Sequence, residues 1–396
     1  MNLFIIPSWY PCTSQPLSGI FTREQAEAIA DLCPEITVIA SVWGHADGEM
    51  KVRSPKKTLQ AVKWRLRQNR EHIQKNNGVW EVFTPALSWL YNPMFEPVNQ
   101  LIRANRRNFR LAEEKFGRID LIHAHVSYPA GYVASIIARE SGVPYVLTEH
   151  MSPFPFPPYV RDGRPMREIV EAFAGAKSSV AVSPSLAGRI NLFGLGLPEV
   201  IPNLVDERRF SLGTPPAGKF IFFTLCGLTE QKGIDHLLQS IAIWNPPVDC
   251  FEFRIGGDGP MGDAYKSMAQ RLGIADRIKW LGHVSREEAP KLFQDCHVYV
   301  MPSRHETFGV VYAEAIACGK PIIATRCGGP EYIVNVTNGR LVEIGDIKGL
   351  MVAMHSIAEH WKEFDPQEIR SDFEMRFSRS AVVHQLRILY EKVIGE

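Results

Sequence analysis

Short apolar runs alternate with stretches of helical spacing along the whole chain, and this alternation constrains the fold most strongly. The runs are too short for buried helices, so the pattern predicts βαβ units with parallel sheets. In the first half we predict strands at 3–6, 36–40, 120–125, 144–150 and 179–183, and helices at 21–32, 97–116, 130–141 and 167–176.

A second series of the same kind follows a Pro- and Gly-rich stretch at 196–218, which is typical of an interdomain connection. Its predicted strands are 219–226, 251–256, 278–281, 297–301 and 321–325, with helices near 233–242, 262–272, 286–295, 309–318 and 347–360. We therefore predict an α/β protein with two Rossmann-like domains, 1–205 and 206–376, that face each other across a cleft. Ligands are expected at the carboxyl ends of the strands.

The charge balance excludes one class of partner. The 396 residues carry 44 Lys and Arg against 43 Asp and Glu, a net charge of +1, so the chain is not a polycation that binds nucleic acid through bulk charge. Between 51 and 118, however, the sequence contains fifteen Lys or Arg and only five Glu, with Trp64, Trp80, Trp89 and Tyr91 among them. This basic stretch predicts a surface for anionic lipid headgroups or a phosphorylated acceptor; the alternative is a solvated helical face.

The seven cysteines are scattered and form no C-x-x-C pair, so the pattern indicates neither a disulfide framework nor a zinc site. The first residues, MNLFIIPSWYP, lack a basic region and are expected to form a buried strand rather than a signal peptide. No apolar run reaches the ~18–20 residues of a membrane span. We expect a cytoplasmic protein, with peripheral attachment to the inner membrane face left open.

The most informative segment is 302–321, PSRHETFGVVYAEAIACGKP. A predicted strand ends in a loop that carries Glu306, Gly309 opens a helix, and Gly319 lies at the position where a glycine ends one. Free amides at a helix start favour phosphate groups. Glu306 before the helix and Glu314 within it then suit the hydroxyl groups of a sugar and a ribose.

The spacing P-S-x-x-E-T-F-G-x-x-x-x-E-A-x-A-C-G-x-P resembles the signature of family 4 (group 1) retaining glycosyltransferases of GT-B fold, of the bacterial polysaccharide and glycolipid type. Further matching segments are found along most of the chain: Ser18-Gly19, T-E-H ending at His150, Val182-Ser183, Pro202-Asn203, Lys232-Gly233, Gly256-Gly257-Asp258-Gly259-Pro260, Leu281-Gly282 and Gly328-Gly329-Pro330-Glu331.

The resemblance implies specific roles. Glu306 contacts the transferred sugar, Glu314 holds the ribose, and Lys232 binds the diphosphate and stabilises the leaving nucleotide, which suits a compact cation. His150 is the active-site histidine of the first domain, ranked above His125 and His123. The set is then catalytic His150, Glu306 and Lys232, with donor contacts from Gly19, Gly227, Lys232, Gly257, Glu306, Thr307, Phe308, Gly309, Val310 and Glu314.

The resemblance also implies a C-terminal helix, within 377–396, that returns to the first domain. No metal is expected, and no cofactor, because the nucleoside diphosphate sugar is a substrate and the sequence has no clustered Asp-x-Asp or His ligands. The chain departs from the family at Gly227, where a cation is usual. We therefore count Arg304 among the donor-binding residues, with Arg326 as another base that could balance the diphosphate.

We therefore expect a retaining transfer from a UDP- or GDP-sugar to a saccharide or lipid-linked saccharide. Retention without an evident enzymic nucleophile indicates a front-face mechanism. Two alternatives stay open. One is a nucleotide-sugar epimerase or hydrolase of the same fold. The other is an inactive sugar-nucleotide-binding partner, which Gly227 keeps open and the intact Glu306 and Glu314 argue against. A dinucleotide fingerprint, a G-x-S-x-G elbow and a P-loop are all absent from the sequence. The base, the sugar, the acceptor and the oligomeric state are not encoded in these patterns.

Overall fold

The computed structural model describes residues 1–51, 54–68, 71–88 and 98–395. Four members of the basic stretch, Arg53, Arg70, Trp89 and Tyr91, lie outside the described residues. The chain divides into two compact units. The first unit comprises Met1–Val182, Leu186–Asn203 and the residues from Val382 on, and the second comprises Ser183–Ser185 and Leu204–Ala381.

The first unit is built on an eight-stranded sheet. Its strands are β1 (Asn2–Pro7), β2 (Thr37–Val42), β3 (His72–Asn76), β4 (Val79–Phe83), β5 (Leu121–His125), β6 (Tyr145–Glu149), β9 (Ser178–Ala181) and β10 (Glu199–Val200). Their order is β10-β9-β6-β5-β1-β2-β4-β3, and every pair is parallel except β3 with β4. A separate antiparallel ribbon joins β7 (Val160–Arg161) to β8 (Arg164–Pro165).

Helices connect these strands, as the alternating pattern predicts. They are α1 (Ile20–Leu32), α2 (Pro55–Arg67), α3 (Val98–Phe116), α4 (Tyr132–Ser141), α5 (Arg167–Ala174) and α6 (Pro184–Leu192). The sequence analysis missed α2 and the β3–β4 hairpin. Helix α2 and strand β3 are polar: Ala61 is the one α2 residue that is fully buried and β3 has none, so both lack the apolar run by which the others were found. Strand β4 does have such a run, with Val79 and Val82 buried, and was missed despite it.

The second unit has a six-stranded, entirely parallel sheet. Its strands are β11 (Phe220–Leu225), β12 (Phe251–Gly256), β13 (Ile278–Gly282), β14 (Val298–Met301), β15 (Ile322–Thr325) and β16 (Gly339–Val342), in the order β13-β12-β11-β14-β15-β16. Its helices are α7 (Ile234–Trp244), α8 (Gly262–Arg271), α9 (Ala289–Gln294), α10 (Val310–Ala317), α11 (Pro330–Ile333), α12 (Ile347–His360) and α13 (Pro366–Arg376). The last helix, α14 (Arg379–Gly395), belongs to the first unit from Val382 on.

Both sheets have the Rossmann strand order, which confirms the predicted fold class. In each sheet the first strand is central, with the next two parallel strands on one side. The strands that follow, four in the first sheet and three in the second, lie on the other side. In such sheets ligands bind where the strand order reverses, at the carboxyl ends of the strands. The reversal lies between β1 and β5 in the first unit and between β11 and β14 in the second.

The two cores are apolar and tightly packed. The rings of Phe222 and Phe253, on neighbouring strands of the second sheet, stack at 5.1 Å, and Phe4 meets Phe109 edge to face at 5.3 Å in the first unit. These contacts hold neighbouring strands, or a strand and a helix, together inside each core. None of the described helices is long and apolar enough to cross a membrane.

Candidate functional site

An ion pair stands at the point where the second sheet reverses its strand order. Lys232 lies in a single 3₁₀ turn, Glu230–Lys232, that follows β11, and Glu306 lies in the loop that follows β14. The Lys232 Nζ is 2.6 Å from Glu306 Oε1, and the Ser303 hydroxyl donates to the same oxygen at 2.8 Å. Glu306 is buried and Lys232 is partly exposed, so one side of the pair remains open to a ligand.

The backbone fixes the turn that carries Lys232. Gly233 has a left-handed backbone (φ 65°), and a Cβ there would stand 2.0 Å from the Pro302 carbonyl oxygen. Only glycine allows the turn to approach the 302–306 loop this closely. The Arg304 amide also donates to the Gln231 carbonyl at 2.7 Å.

Helix α10 begins directly after the carboxylate. Gly309 precedes it with φ 84°, and the helix ends at Cys318 and Gly319 (φ 69°), as predicted. The first amides of a helix have no acceptor within it, so the segment from Gly309 onward presents N–H donors and the positive end of the helix dipole. Val310 and Gly309 are partly exposed, whereas Phe308 is buried against Phe377 at 5.7 Å.

The loop that carries Glu306 is held by backbone hydrogen bonds, and both glutamates of the motif are buried. Glu306 forms an isolated bridge with Gly328: its amide donates to the Cys327 carbonyl at 3.2 Å, and its carbonyl accepts from Gly329 at 2.7 Å. Glu314, inside α10, is 8% exposed, and Thr307 between them is equally buried. A buried carboxylate needs polar partners, so this placement suits recognition of hydroxyl groups.

The two glycine positions predicted near the diphosphate differ. Gly257 has φ 118°, and a Cβ there would lie 1.8 Å from the Cys226 carbonyl oxygen, so glycine is required by the backbone alone. At Gly227 a Cβ would meet only the Asp258 carbonyl oxygen, at 3.9 Å. The chain therefore has room for a side chain at 227 and carries none.

The structure separates the three bases considered for the diphosphate. The Lys232 ammonium donates to the Glu306 carboxylate. The Arg304 guanidinium instead donates to Asp235 Oδ2 at 2.6 Å and to the Glu230 carbonyl. Arg326 is half exposed and pairs with Glu343 at 3.2 Å. Lys232 is thus the base that contacts the motif carboxylate.

In the first unit, the histidines at the ends of β5 and β6 meet. His125 Nδ1 lies 3.1 Å from His150 Nε2, and the two rings stack at 5.3 Å. Burial lowers the pKa of His150 to about 3 and also lowers the pKa of His125. Both imidazoles are therefore neutral near pH 7, and each has one donor and one acceptor nitrogen.

Glu149 is bonded to the backbone of His150, and Tyr390 contacts the neighbouring His123; the sequence analysis did not single out either Glu149 or Tyr390. Buried Glu149 accepts hydrogen bonds from the amides of Ser127 at 3.0 Å and His150 at 2.7 Å, which joins the loops after β5 and β6. The Tyr390 hydroxyl of α14 lies 2.7 Å from His123 Nδ1. Glu149 was visible as the middle residue of T-E-H, but Tyr390 gives no local signal.

Gly19 lies at the start of α1 with φ 67°. A Cβ there would lie 2.1 Å from the Trp9 carbonyl oxygen, because the backbone at Gly19 packs directly against the backbone at Trp9. Trp9 in turn packs against Phe21, at 6.5 Å, and Phe21 lies 4.4 Å from the His150 ring. Close packing of the backbone is enough to require this glycine.

Two cavities differ in their relation to the predicted residues. One of about 670 Å³, lined by Arg139, Tyr145 and Val393 near the amino end of β6, includes no predicted site residue. Another of about 610 Å³ is bounded by Asp235, by residues of α8 and by Arg304, which is a predicted donor-binding residue. Within the described ranges, no three His, Cys, Asp or Glu side chains are grouped so that they could hold a metal ion.

Comparisons with known proteins agree on one family. The model for Glycosyltransferase Family 4 matches residues 19–209, and the model for Glycosyl transferases group 1 matches residues 206–368. An uncharacterized glycosyltransferase of Methanocaldococcus jannaschii is 28% identical over 304 residues, 76% of this chain and 82% of that protein. A Bacillus subtilis glycosyltransferase assigned to teichuronic acid biosynthesis, TuaC, is 24% identical over 412 residues, 97% and 98% of the two chains.

A solved structure shows the same fold. HepE from Anabaena, in complex with UDP, superposes with a TM-score of 0.71 at 21% identity, covering 99% of this chain and 100% of that chain.

Proposed function

The chain belongs to the group 1 glycosyltransferases of family 4 and has the GT-B fold, and from that premise we propose that it transfers a sugar. The proposed donor is a UDP- or GDP-sugar, and the proposed acceptor is a saccharide or lipid-linked saccharide. The transfer is proposed to retain the anomeric configuration and to serve cell-surface polysaccharide biosynthesis. The observation that carries the proposal is the pair formed by Lys232 and Glu306 at the strand-order reversal of the second sheet.

The donor is proposed to bind over this pair and the start of α10. The amides of Thr307, Phe308, Gly309 and Val310 would hold the sugar and its diphosphate, since helix starts attract phosphate. Phe308 can contribute only its backbone, because its side chain is buried. UDP is the first nucleotide to test, because HepE, which has the same fold, was solved with it.

Glu306 and Glu314 are proposed to accept hydrogen bonds from the sugar and the ribose. Donor binding must then share or break the 2.6 Å contact between Lys232 and Glu306. Freed from Glu306, the ammonium group lies beside the diphosphate and stabilises the charge that develops on it. We propose that this cation and the helix amides neutralise the diphosphate without a metal ion.

The chemistry proposed is a front-face displacement. The bond between the anomeric carbon and the phosphate oxygen breaks, and its electron pair stays with the diphosphate. The acceptor oxygen bonds to the same face of the carbon, and its proton passes to the departing phosphate oxygen. Neutral His150 is proposed to hydrogen-bond the transferred sugar, and His125, at 3.1 Å, would fix the ring that does so.

A second proposal concerns the membrane, for which α2 provides the surface. Five cations (Lys56, Lys57, Lys63, Arg65 and Arg67) and no acidic residue occur in this helix, and none of the five forms an ion pair with any described residue within 4 Å. Leu59 and Leu66, 55% and 79% exposed, lie two turns apart on the face that also carries Lys56 and Lys63. This is the composition of a helix that lies on an anionic bilayer, and it supports a lipid-linked acceptor at the inner membrane face.

The aromatic residues of the basic stretch support this surface less than the sequence indicated. Trp64 packs against Phe83 at 6.4 Å, and Trp80 lies under the Lys115 ammonium at 4.2 Å. Two α3 arginines, Arg106 and Arg107, are paired with Glu140 and Glu71. Helix α2 thus carries five basic side chains of the stretch, none of them in an ion pair with a described residue.

The test is a donor panel followed by product analysis. We expect one nucleoside diphosphate sugar to raise the melting temperature, and a saccharide acceptor to be required for turnover. NMR of the product should show the donor's anomeric configuration; an inverted anomer would contradict the mechanism. Product from the donor alone, at a rate that no acceptor increases, would indicate an epimerase or hydrolase. Donor binding without turnover across the acceptors would indicate an inactive binding partner.

A further inference from the structure

We propose that Arg304 is a positioning residue that holds the Lys232 turn against the Glu306 loop, rather than a ligand of the donor diphosphate. This inference rests on the proposed function of Lys232 and Glu306. It assigns to Arg304 a role different from the donor contact expected from its place in the sequence.

The geometry of the guanidinium carries the inference. It donates to Asp235 Oδ2 at 2.6 Å and to the Glu230 carbonyl, and it lies 3.1 Å from His236 Nε2. All three partners belong to the segment that contains Lys232. Five donors in a planar fork allow Arg304 to contact a carboxylate and a carbonyl together, which a lysine cannot reproduce.

The backbone forms the second half of the same connection. The Arg304 amide donates to the Gln231 carbonyl at 2.7 Å, and the Gln231 side-chain amide donates to the His305 carbonyl at 2.7 Å. Lys232 and Glu306 are thus each flanked by residues that hold the two loops together. Without these bonds, Lys232 would depend on its own contact with Glu306, which donor binding must disturb.

The charges around Arg304 also favour positioning over phosphate binding. The Asp235 carboxylate already balances the guanidinium: its hydrogen bond raises the pKa of Arg304, and Arg304 lowers the pKa of Asp235 against the opposing effect of burial. A phosphate at Arg304 would have to displace Asp235 and approach a carboxylate. Lys232 is paired with a carboxylate too, but that carboxylate, Glu306, is itself proposed to bind the sugar, so one donor would give both groups new partners.

The experiment is a double-mutant cycle on the full chain between Arg304→Gln and Lys232→Ala, with turnover and donor KM measured separately. In the unmodified protein, we expect Arg304→Gln to lower kcat/KM at least tenfold. In the Lys232→Ala variant, the same substitution should change kcat/KM less than twofold. We expect Arg304→Lys to be as impaired as Arg304→Gln, since it retains the charge and loses the fork.

Asp235→Asn is a second test, because it weakens the hydrogen bond between Asp235 and Arg304 and leaves Arg304 in place. Like Arg304→Gln, it should lower kcat/KM. Arg271→Gln is the matched control, an exposed arginine on the wall of the cavity that Arg304 also borders, and it should have no effect. Melting temperatures show whether each variant folds.

Additive losses in Arg304→Gln and Lys232→Ala, or full activity in Arg304→Lys, would overturn the inference, since Arg304 would then act on the donor as a charge. Failure of the proposed function gives another result: the unmodified protein shows no transfer, or Lys232→Ala keeps full activity. The two failures are therefore distinguishable.

Discussion

The Lys232 ammonium and the Glu306 carboxylate lie 2.6 Å apart, although 74 residues separate them in the chain. They follow the two strands, β11 and β14, between which the second sheet reverses its order. Each is proposed to bind a different part of one donor, so in the absence of donor each serves as the other's partner. An unpaired carboxylate as buried as Glu306 would otherwise be costly.

Glu306→Gln is predicted to reduce turnover about 10²–10³-fold, the usual effect of removing one group that acts on the transition state. The amide keeps the shape of the side chain and can still accept from Ser303, so the melting temperature should change little. Initial rates and differential scanning calorimetry check both. Arg326→Gln, which removes a half-exposed ion pair, is the control and should retain activity. A fully active Glu306→Gln would remove the donor-site assignment.

Gly227→Arg is predicted to fold and to bind the donor more tightly. A Cβ at 227 has no atom nearer than 3.9 Å, and an added guanidinium near the diphosphate should increase UDP affinity about tenfold, or about 1.4 kcal/mol. Calorimetric titration measures this. As a contrast, Gly257→Ala should fail to fold properly, since its Cβ would stand 1.8 Å from a carbonyl oxygen. Unchanged or weaker UDP binding in Gly227→Arg would mean that no diphosphate lies near this position.

Activity is predicted to be independent of divalent cations. The donor diphosphate is proposed to be neutralised by Lys232 and by the amides at the start of α10, as a helix start can do for phosphate. Rates in EDTA and in Mg²⁺ should then agree within about twofold. A loss in EDTA that Mg²⁺ restores would show that Lys232 does not suffice and that the absence of an Arg at 227 is compensated by a metal ion.

The α2 surface is predicted to bind anionic bilayers. Lys56→Gln with Lys63→Gln should weaken binding to vesicles of phosphatidylglycerol and phosphatidylcholine about 30-fold, since each basic residue contributes about 1 kcal/mol near such a surface. Vesicle co-sedimentation measures this, and vesicles of phosphatidylcholine alone should bind neither protein. Leu66→Gln should also weaken binding, whereas Leu192→Gln, 80% exposed in α6, should not. Equal binding by all variants would contradict the assignment to α2.

The protein is predicted to lose stability as the pH falls below about 6.5. Burial lowers the pKa of His45, His123 and His150 to about 3, so the unfolded chain takes up protons that the folded one does not. Each such histidine contributes a loss of up to about 1.4 kcal/mol per pH unit in the window from about 6.5 down to about 3, and stability is fully present above it.

Urea unfolding between pH 7 and 5.5 tests this, a range in which the carboxylates contribute little. His123→Gln should reduce the slope of stability against pH, even if it lowers stability at every pH by removing the contact with Tyr390. The exposed His360→Gln is the control for the slope. A pH-independent free energy of unfolding would show that the buried imidazoles are protonated in the folded protein.

Much of the fold could be predicted from the sequence because buried parallel strands are continuous apolar runs. The runs at β1, β5, β11 and β14 were all recognised. Helix α2 and strand β3 were not, since their side chains are mostly exposed and no burial pattern marks them, and β4 was missed although Val79 and Val82 are buried. The aromatic residues of the basic stretch were expected at its surface, yet Trp64 and Trp80 pack against neighbouring side chains.

The candidate site divides in the same way. The spacing of Glu306, Gly309 and Glu314 is local, and one loop and one helix are enough to place all three, so the sequence by itself determined the motif, the α/β class and the candidate donor residues.

Only the tertiary structure decided which base reaches Glu306, because Lys232, Arg304 and Arg326 are equivalent as cations in a sequence. It also brought His125 to His150 and Tyr390 to His123, 267 residues away, since contacts between separate strands and helices depend on the packing of the whole unit and leave no periodic trace in the chain.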